Sequence, residues 1–518
     1  MAQKEASMRF WGGLGNMLSL GFILSIVVAM GLSGWIALQE GTHRFMLPFT
    51  TENAVQRITD AVSVARAEPT LERLSGVSDE LWALSLFSTA KRFTDSKLME
   101  QGIYYATMPK SNQVAIAVHV LFSVFCVMFG GLQFWPAFRK RFMKVHRGIG
   151  AIYIATVPVA VVAALCYMAL TPPHHIYDHL VAWVALWVFG VLALVSITMA
   201  IRALKARRIF EHQAWMALSF GCLLVAPLLR LDWALLVPFF PDIDQETLNL
   251  VTMGLMLPEV LLIVYGLVLV NRQYARPMKQ RAAAAMADLG AALYLRSTPL
   301  IYGIAAALLA FNVMFYVVGH GMSSIEVASA LVPAALIMRE QSVLMAHPMI
   351  AAGFAVACGL AFPAAALTLK QCLSRTDDAA GASRGATSLL TPWLALAAGI
   401  SSCFLGWRMG LAPHNAWLSG GTMYTVNGLV IAGFGALLLM ARSNRRQALM
   451  KESLVFLLCL LPFPALFFLT LQIVSWLHLP ADYIAAGQGF VLPAGASGSL
   501  LFVAIIHVVY GQATREHN

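Results

Sequence analysis

Apolar and polar residues follow one another along this chain in long blocks, without the short alternation of a soluble fold. A helix needs roughly 20 apolar residues to cross the hydrocarbon of a bilayer. Twelve stretches meet that length: 14–38, 113–135, 148–170, 179–202, 213–235, 248–270, 298–319, 346–370, 389–411, 420–441, 451–477 and 494–511. Long continuous runs predict helices and argue against a barrel, whose strands would read as ten-residue alternations. The fold class predicted is therefore all-α, a polytopic membrane protein with about twelve spans.

The polar blocks between the runs test this count. Residues 136–147 carry Arg139, Lys140, Arg141, Lys144 and Arg147, and the next connection but one carries Arg202, Lys205, Arg207 and Arg208. Residues 271–297 carry Arg272, Arg276, Lys279, Arg281 and Arg296; 371–388 carry Arg375 and Arg384; 442–450 carry Arg442, Arg445 and Arg446. The alternate connections 171–178, 236–247, 412–419 and 478–493 contain no Lys or Arg, and 320–345 contains only Arg339. This is the positive-inside pattern, and it predicts a multi-pass protein of the inner (plasma) membrane with both termini cytoplasmic.

Composition agrees. Of 518 residues, 59% are apolar and 12% charged, and mean hydropathy is +0.73, too little polar surface for a soluble protein of this size. The net charge of +10 lies in the loops of one face, where it meets anionic lipid, so nucleic acid is not an expected partner. The seven cysteines form no C-x-x-C pair and sit in or at the ends of apolar runs, as small core residues do.

Five regions follow: a membrane anchor helix at 1–38, an extracytoplasmic segment at 39–112, a histidine-bearing membrane core at 113–271, a cytoplasmic linker at 272–297 and a second six-helix half at 298–518. The first apolar run is too long for a signal-peptide core, so it reads as an anchor. Two short matches six spans apart, LLIVYG (261–266) with IIHVVYG (505–511) and His119–Pro136 with His347–Pro363, predict two parallel six-helix halves.

The candidate chemistry lies in four histidines at the ends of four consecutive spans. His119 and His179 fall on the outer side, His119 roughly 9 Å below the start of its helix at 1.5 Å per residue. His146 and His212 fall on the inner side. Alternate helices of a four-helix bundle are diagonal neighbours, and imidazole is an axial ligand of haem iron, so the layout suits two b-type haems with two histidines on each iron. Lys144, Arg147, Arg207 and Arg208 stand where inner propionates would need cations. A single histidine at a helix end more often caps or faces headgroups; the side alternation of four is what singles this set out. In the second half His347 and His414 form a further outer-side pair, a third haem site or two interface histidines.

Glu259, beside Pro258 in the middle of the sixth span, is a proton relay or a partner of Arg230. No P-loop, nucleophile elbow, catalytic carboxylate pair or zinc spacing is present.

The segments KVHRGIGAIY (144–153), DHLVAWVALWVFG (178–190) and FEHQAWMALSFG (210–221) resemble the ligand-bearing helix starts of the cytochrome b-561 family. That resemblance implies haem b, a transmembrane oxidoreductase and the pairings His119–His179 and His146–His212. The chain is also similar, over about 113–272, to an uncharacterised bacterial membrane family whose pattern matches His119, Gln133, Phe134, Pro136, His146, Arg147, Gly150, Tyr153, His212, Trp215, Met216 and Arg230. That family fixes no histidine where His179 stands and implies no activity. The expected function is passage of electrons through the bilayer, from a quinol or a redox partner protein; the alternatives are a secondary transporter with a six-plus-six repeat and a non-catalytic assembly protein.

Overall fold

In the computed structural model, every regular element among the described residues is helical. Those residues are 2–50, 52–70, 72–74, 89–95, 98–176, 180–238, 240–241, 243–273, 291–327, 331–374, 386–410, 421–444, 446–480 and 491–511. Hydrocarbon offers no hydrogen-bond partner to a peptide group, so an apolar run that crosses it must close its N–H and C=O groups along itself.

The first unit, Met1–Arg276, contains α1 (Ala2–Glu40), α2 (Lys110–Gln133), α3 (Met143–Leu170), α4 (Leu180–Lys205), α5 (Ile209–Cys222), α6 (Val225–Leu236) and α7 (Gln245–Gln273). The second, Pro277–Asn518, contains α8 (Thr298–Asn312), α9 (Pro348–Ser374), α10 (Ala386–Met409), α11 (Gly421–Ser443), α12 (Gln447–Leu460), α13 (Phe463–Trp476) and α14 (Val491–Gly511). Among the described residues ten helices are long and apolar enough to cross a membrane, with α12 and α13 taken as one, and α5 with α6 makes an eleventh. The twelfth expected stretch is α14, 21 residues long. Large apolar side chains such as Leu32, Phe125, Val162, Val191, Ile400 and Leu429 stand exposed on the helices, as lipid-facing residues do.

The fifth span is broken. α5 and α6 meet at 58°. The last turn of α5 tightens: Leu223 N–H bonds Phe220 O at 3.0 Å and Leu224 N–H bonds Gly221 O at 3.1 Å, both to the third residue back. Pro227 has no N–H for the Leu223 carbonyl and its ring clashes with it. Pro158, Pro258, Pro363 and Pro392, by contrast, sit inside unbroken helices.

Between α1 and α2 short helices, among them Ala54–Ala67 and Leu98–Thr107, close a small core of Ile58, Val62, Ala65, Leu74, Met99 and Ala106. It is pinned to the C-terminal half of α6 and to the residues just before α7. Arg92 Nε donates to Ile243 O at 2.7 Å, and Phe93 meets Trp233 edge-on with centroids 5.8 Å apart.

In the second unit α10 and α11 touch backbone to backbone. A Cβ on Gly421 would lie 2.2 Å from Gly406 O, and one on Gly428 2.7 Å from Gly399 O. Lipid tails are as apolar as the helices, so such small residues, which allow close approach and dispersion contact, hold spans together.

Candidate functional site

The four histidine-bearing segments arise from two helical hairpins. At the first turn-round, Phe134 ends α2 and Pro136 opens the short helix Pro136–Arg141, at the position where a missing N–H is harmless. His146 then lies in the first turn of α3, its N–H bonded to Phe142 O at 2.9 Å. At the second, Arg207 adopts the left-handed conformation (φ 58°), and Arg208 N–H reaches back to Ala203 O at 2.9 Å. That bond closes a Schellman turn on α4. It reverses the chain so that His212, in the first turn of α5, faces the end of α4.

There the His212 ring is fixed: Nδ1 lies 2.9 Å from Ala200 O. A carbonyl oxygen can only accept, so Nδ1 carries the proton and Nε2 keeps the lone pair. His119 repeats the arrangement between α2 and α3, with Nδ1 2.9 Å from Ala160 O. This is the support that metal-binding imidazoles have, one ring nitrogen tied to a backbone acceptor and the other free to ligate. His146 Nδ1 is buried with no protein partner, and its ring stands within electrostatic reach of His212, Arg139 and Arg147.

The cations sort differently from their order in the sequence. Lys144 and Arg147 are exposed. Arg208 pairs with the buried Glu211 at 2.8 Å. The cation that turns inward is Arg139: it donates to Asn271 Oδ1 on α7 and acts electrostatically on both His146 and His212. Burial lowers its pKa to about 10, so it remains charged at neutral pH. In the sequence Arg139 is one of five basic residues in 136–147, with nothing to set it apart from the other topology charges.

Other pattern residues are contacts between helices. A Cβ on Gly150 would lie 3.3 Å from Gln133 Oε1, so α3 passes close to the Gln133 amide. Tyr153 and Phe220 both press on Gly130, where a Cβ would meet their rings at 3.2 and 2.5 Å. These glycines let α2, α3 and α5 meet around the two aromatic rings.

Residues 116–267, which hold His119, His146 and His212, match the family model described as Predicted membrane protein (DUF2306). No curated protein matches the chain, and no solved structure does. The matched segment is thus similar to an uncharacterised family of integral membrane proteins.

His179 and His414 lie outside the described residues. His347 is half-buried against Phe404, edge-on with centroids 5.1 Å apart. Among the described residues no three His, Cys, Asp or Glu side chains gather as metal ligands; a bis-histidine haem iron requires two.

A second polar centre lies in the same unit. Glu259 on α7 and Asp232 on α6 stand close enough for their carboxyl groups to interact. Two carboxylates have no donor between them, so a hydrogen bond between these groups would need a shared proton. Asp232 is 4% exposed, and Asp232 Oδ2 and Glu259 Oε2 are buried without a partner. No ion pair joins Glu259 to Arg230 among the described residues. Arg230 donates to Ala226 O at 3.0 Å and lies 5.9 Å from the Trp233 ring centroid. Asp232 carries the same signal in the sequence as Glu259, a carboxylate within an apolar span.

Proposed function

We propose that the first unit is a b-type cytochrome that passes electrons through the bilayer, its inner haem held by His146 and His212. The observation that carries this reading is the His212 ring, tied through Nδ1 to Ala200 O and left with Nε2 as its free nitrogen, within electrostatic reach of a second histidine on a different helix. Bound haem would supply reversible one-electron redox chemistry. The protein's part is to hold the imidazoles in one tautomer, keep them in an apolar bundle and set a cation beside them. Arg139 is that cation, better suited to anchor a propionate than the exposed Lys144 and Arg147.

The second pair is His119 with His179. His119 has the same backbone support as His212, through Ala160 O. A quinol is the donor class that suits such a chain: it dissolves in the bilayer and gives up protons with its electrons, and the Asp232–Glu259 pair can take up a proton. The face with the basic loops is the cytoplasmic one in this reading, and the membrane is the bacterial inner membrane.

The reading is tested on the full-length protein, purified after expression with haem available. A Soret band and a reducible b-type alpha band are expected; a colourless, folded preparation contradicts it. Arg139→Gln removes a cation that favours the reduced iron. The midpoint potential of the inner haem should fall while the outer one is unchanged, in a redox titration followed at the alpha band.

One feature favours a second reading, a proton-coupled secondary transporter. The broken α5–α6 span, bent by 58°, lies beside the Asp232–Glu259 pair, and interrupted spans with a titratable partner are how many carriers build their sites. On this reading Asp232→Asn and Glu259→Gln each abolish proton-driven uptake in proteoliposomes, whereas His146→Ala and His212→Ala leave it intact. Uptake with the opposite sensitivities would remove this alternative.

A further inference from the structure

The second unit holds a buried carboxyl group that the cytochrome reading does not use. Glu340 lies in the helix Ala334–Ala346 and is 1% exposed. One oxygen, Oε2, accepts the Met322 N–H at 2.7 Å; the other, Oε1, accepts from the Tyr424 hydroxyl on α11. Among the described residues no cation lies within ion-pair distance of it.

The chain around Glu340 is shaped to reach it. His320 and Gly321 both take positive φ, 52° and 86°, which turns the Met322 N–H onto the carboxyl. A Cβ on Gly321 would lie 2.6 Å from Glu340 Cδ, so only glycine fits there. α8 runs into a π-helical turn, Val313–Val318, of a kind that recurs at functional sites. The turn carries Tyr316, whose ring meets Tyr424 edge-on with centroids 6.0 Å apart. Tyr316 Oη is fully buried and makes no well-formed hydrogen bond to protein, yet it stands within electrostatic reach of Glu340 and Tyr424.

We propose that Glu340, Tyr424 and Tyr316 form a proton-binding site of the second unit, with Glu340 the group that takes up and releases one proton. In the ionised form Tyr424 donates to Glu340. When a proton arrives from solvent it forms an O–H bond on Oε1 and is donated to Tyr424 Oη. Tyr424 then turns its own hydrogen towards Tyr316 Oη. One proton enters, the hydrogen-bond direction reverses, and no other bond changes. Arg339 precedes Glu340 on its own helix, and His320 precedes the turn at Gly321; Tyr316 and Tyr424 act electrostatically with the carboxyl, and Cys358 on α9 acts on Tyr316. Of these, Tyr424 alone bonds the carboxyl.

Burial supports the assignment by raising the Glu340 pKa from 4.5 to about 7, against the lowering effect of its two hydrogen bonds. Between those values the folded chain holds a proton that the unfolded chain has lost, so this group makes stability fall as pH rises from about 4.5 to about 7.

The test is infrared difference spectroscopy on the full-length protein in lipid nanodiscs as pH is stepped across neutrality. A protonated-carboxyl C=O band should bleach as pH rises through about 7 and be absent in Glu340→Gln. Tyr424→Phe keeps the ring and removes a hydrogen bond that favours the ionised form, so the bleaching midpoint should move up by about one pH unit, a tenfold gain in proton affinity. The proposal is overturned if no such band titrates in the wild type, if the same band persists in Glu340→Gln, or if Tyr424→Phe leaves the midpoint in place or lowers it. Should Glu340→Gln fail to fold, the Tyr424→Phe midpoint decides. None of these outcomes depends on haem.

Discussion

His212→Ala is expected to remove one haem per chain and leave the other, with the alpha band of the reduced protein falling to about half of its wild-type amplitude. His146→Ala should give the same loss, because the two imidazoles would hold one iron and neither suffices alone. The double variant should lose no more than either single one. The protein should still fold: the substitution deletes the bond from Nδ1 to Ala200 O, and cross-helix hydrogen bonds in membranes contribute about 0.6–2 kcal/mol. His174→Ala, at an exposed residue outside the bundle, is the control and should leave the spectrum unchanged. A His212→Ala protein with full wild-type absorbance would refute the inner site even if the protein does bind haem.

Gly428→Leu should cost far more stability. Its Cβ would start 2.7 Å from Gly399 O and 2.8 Å from Cys403 N, backbone atoms that cannot rotate away. Overpacking of a close interface costs about 1–3 kcal/mol, and more where backbones must separate. Here α10 and α11 would have to part along the crossing marked by Gly399, Gly406, Gly421 and Gly428. Loss of the second unit's thermal transition in detergent, with the first unit's transition kept, is the expected result. Gly433→Leu, at a glycine with open space around it, is the comparison and should change the midpoint little. Equal midpoints for the two variants would mean that the crossing does not hold the helices.

The helices were legible because hydrocarbon thickness and the demand for internal hydrogen bonding leave an apolar run little choice. The span 110–133 shows this: the sequence marked 113–135, and the ends differ by a few residues at the flanking polar Lys110 and at Phe134. The break between α5 and α6 was legible only in part. Pro227 signals distortion, but Pro158 and Pro258 carry the same signal inside unbroken helices. What distinguishes them is local bonding at Leu223 and Leu224, which residue type does not reveal.

The candidate site was legible as a pattern only. Side alternation singled out His119, His146 and His212 as candidates, because a histidine near a span boundary can be counted from sequence. Their partners could not be, because Ala160 and Ala200 contribute backbone carbonyls and any residue there offers the same acceptor. Which basic residue turns inward depends on the geometry of the Phe134–Phe142 turn-round, so Arg139 could not be separated from Lys144 and Arg147 by composition. Glu340 lay in a stretch read as a loop, 320–345. Its burial follows from two positive-φ residues and from Tyr424 far along the chain, neither of which has a local sequence signature.

Haem per chain, measured by a pyridine haemochrome assay on the purified full-length protein, tests the cytochrome reading. Two haems are expected, falling to one in His146→Ala and in His212→Ala. Zero haem in a folded wild-type preparation, made with haem available during expression, would contradict it.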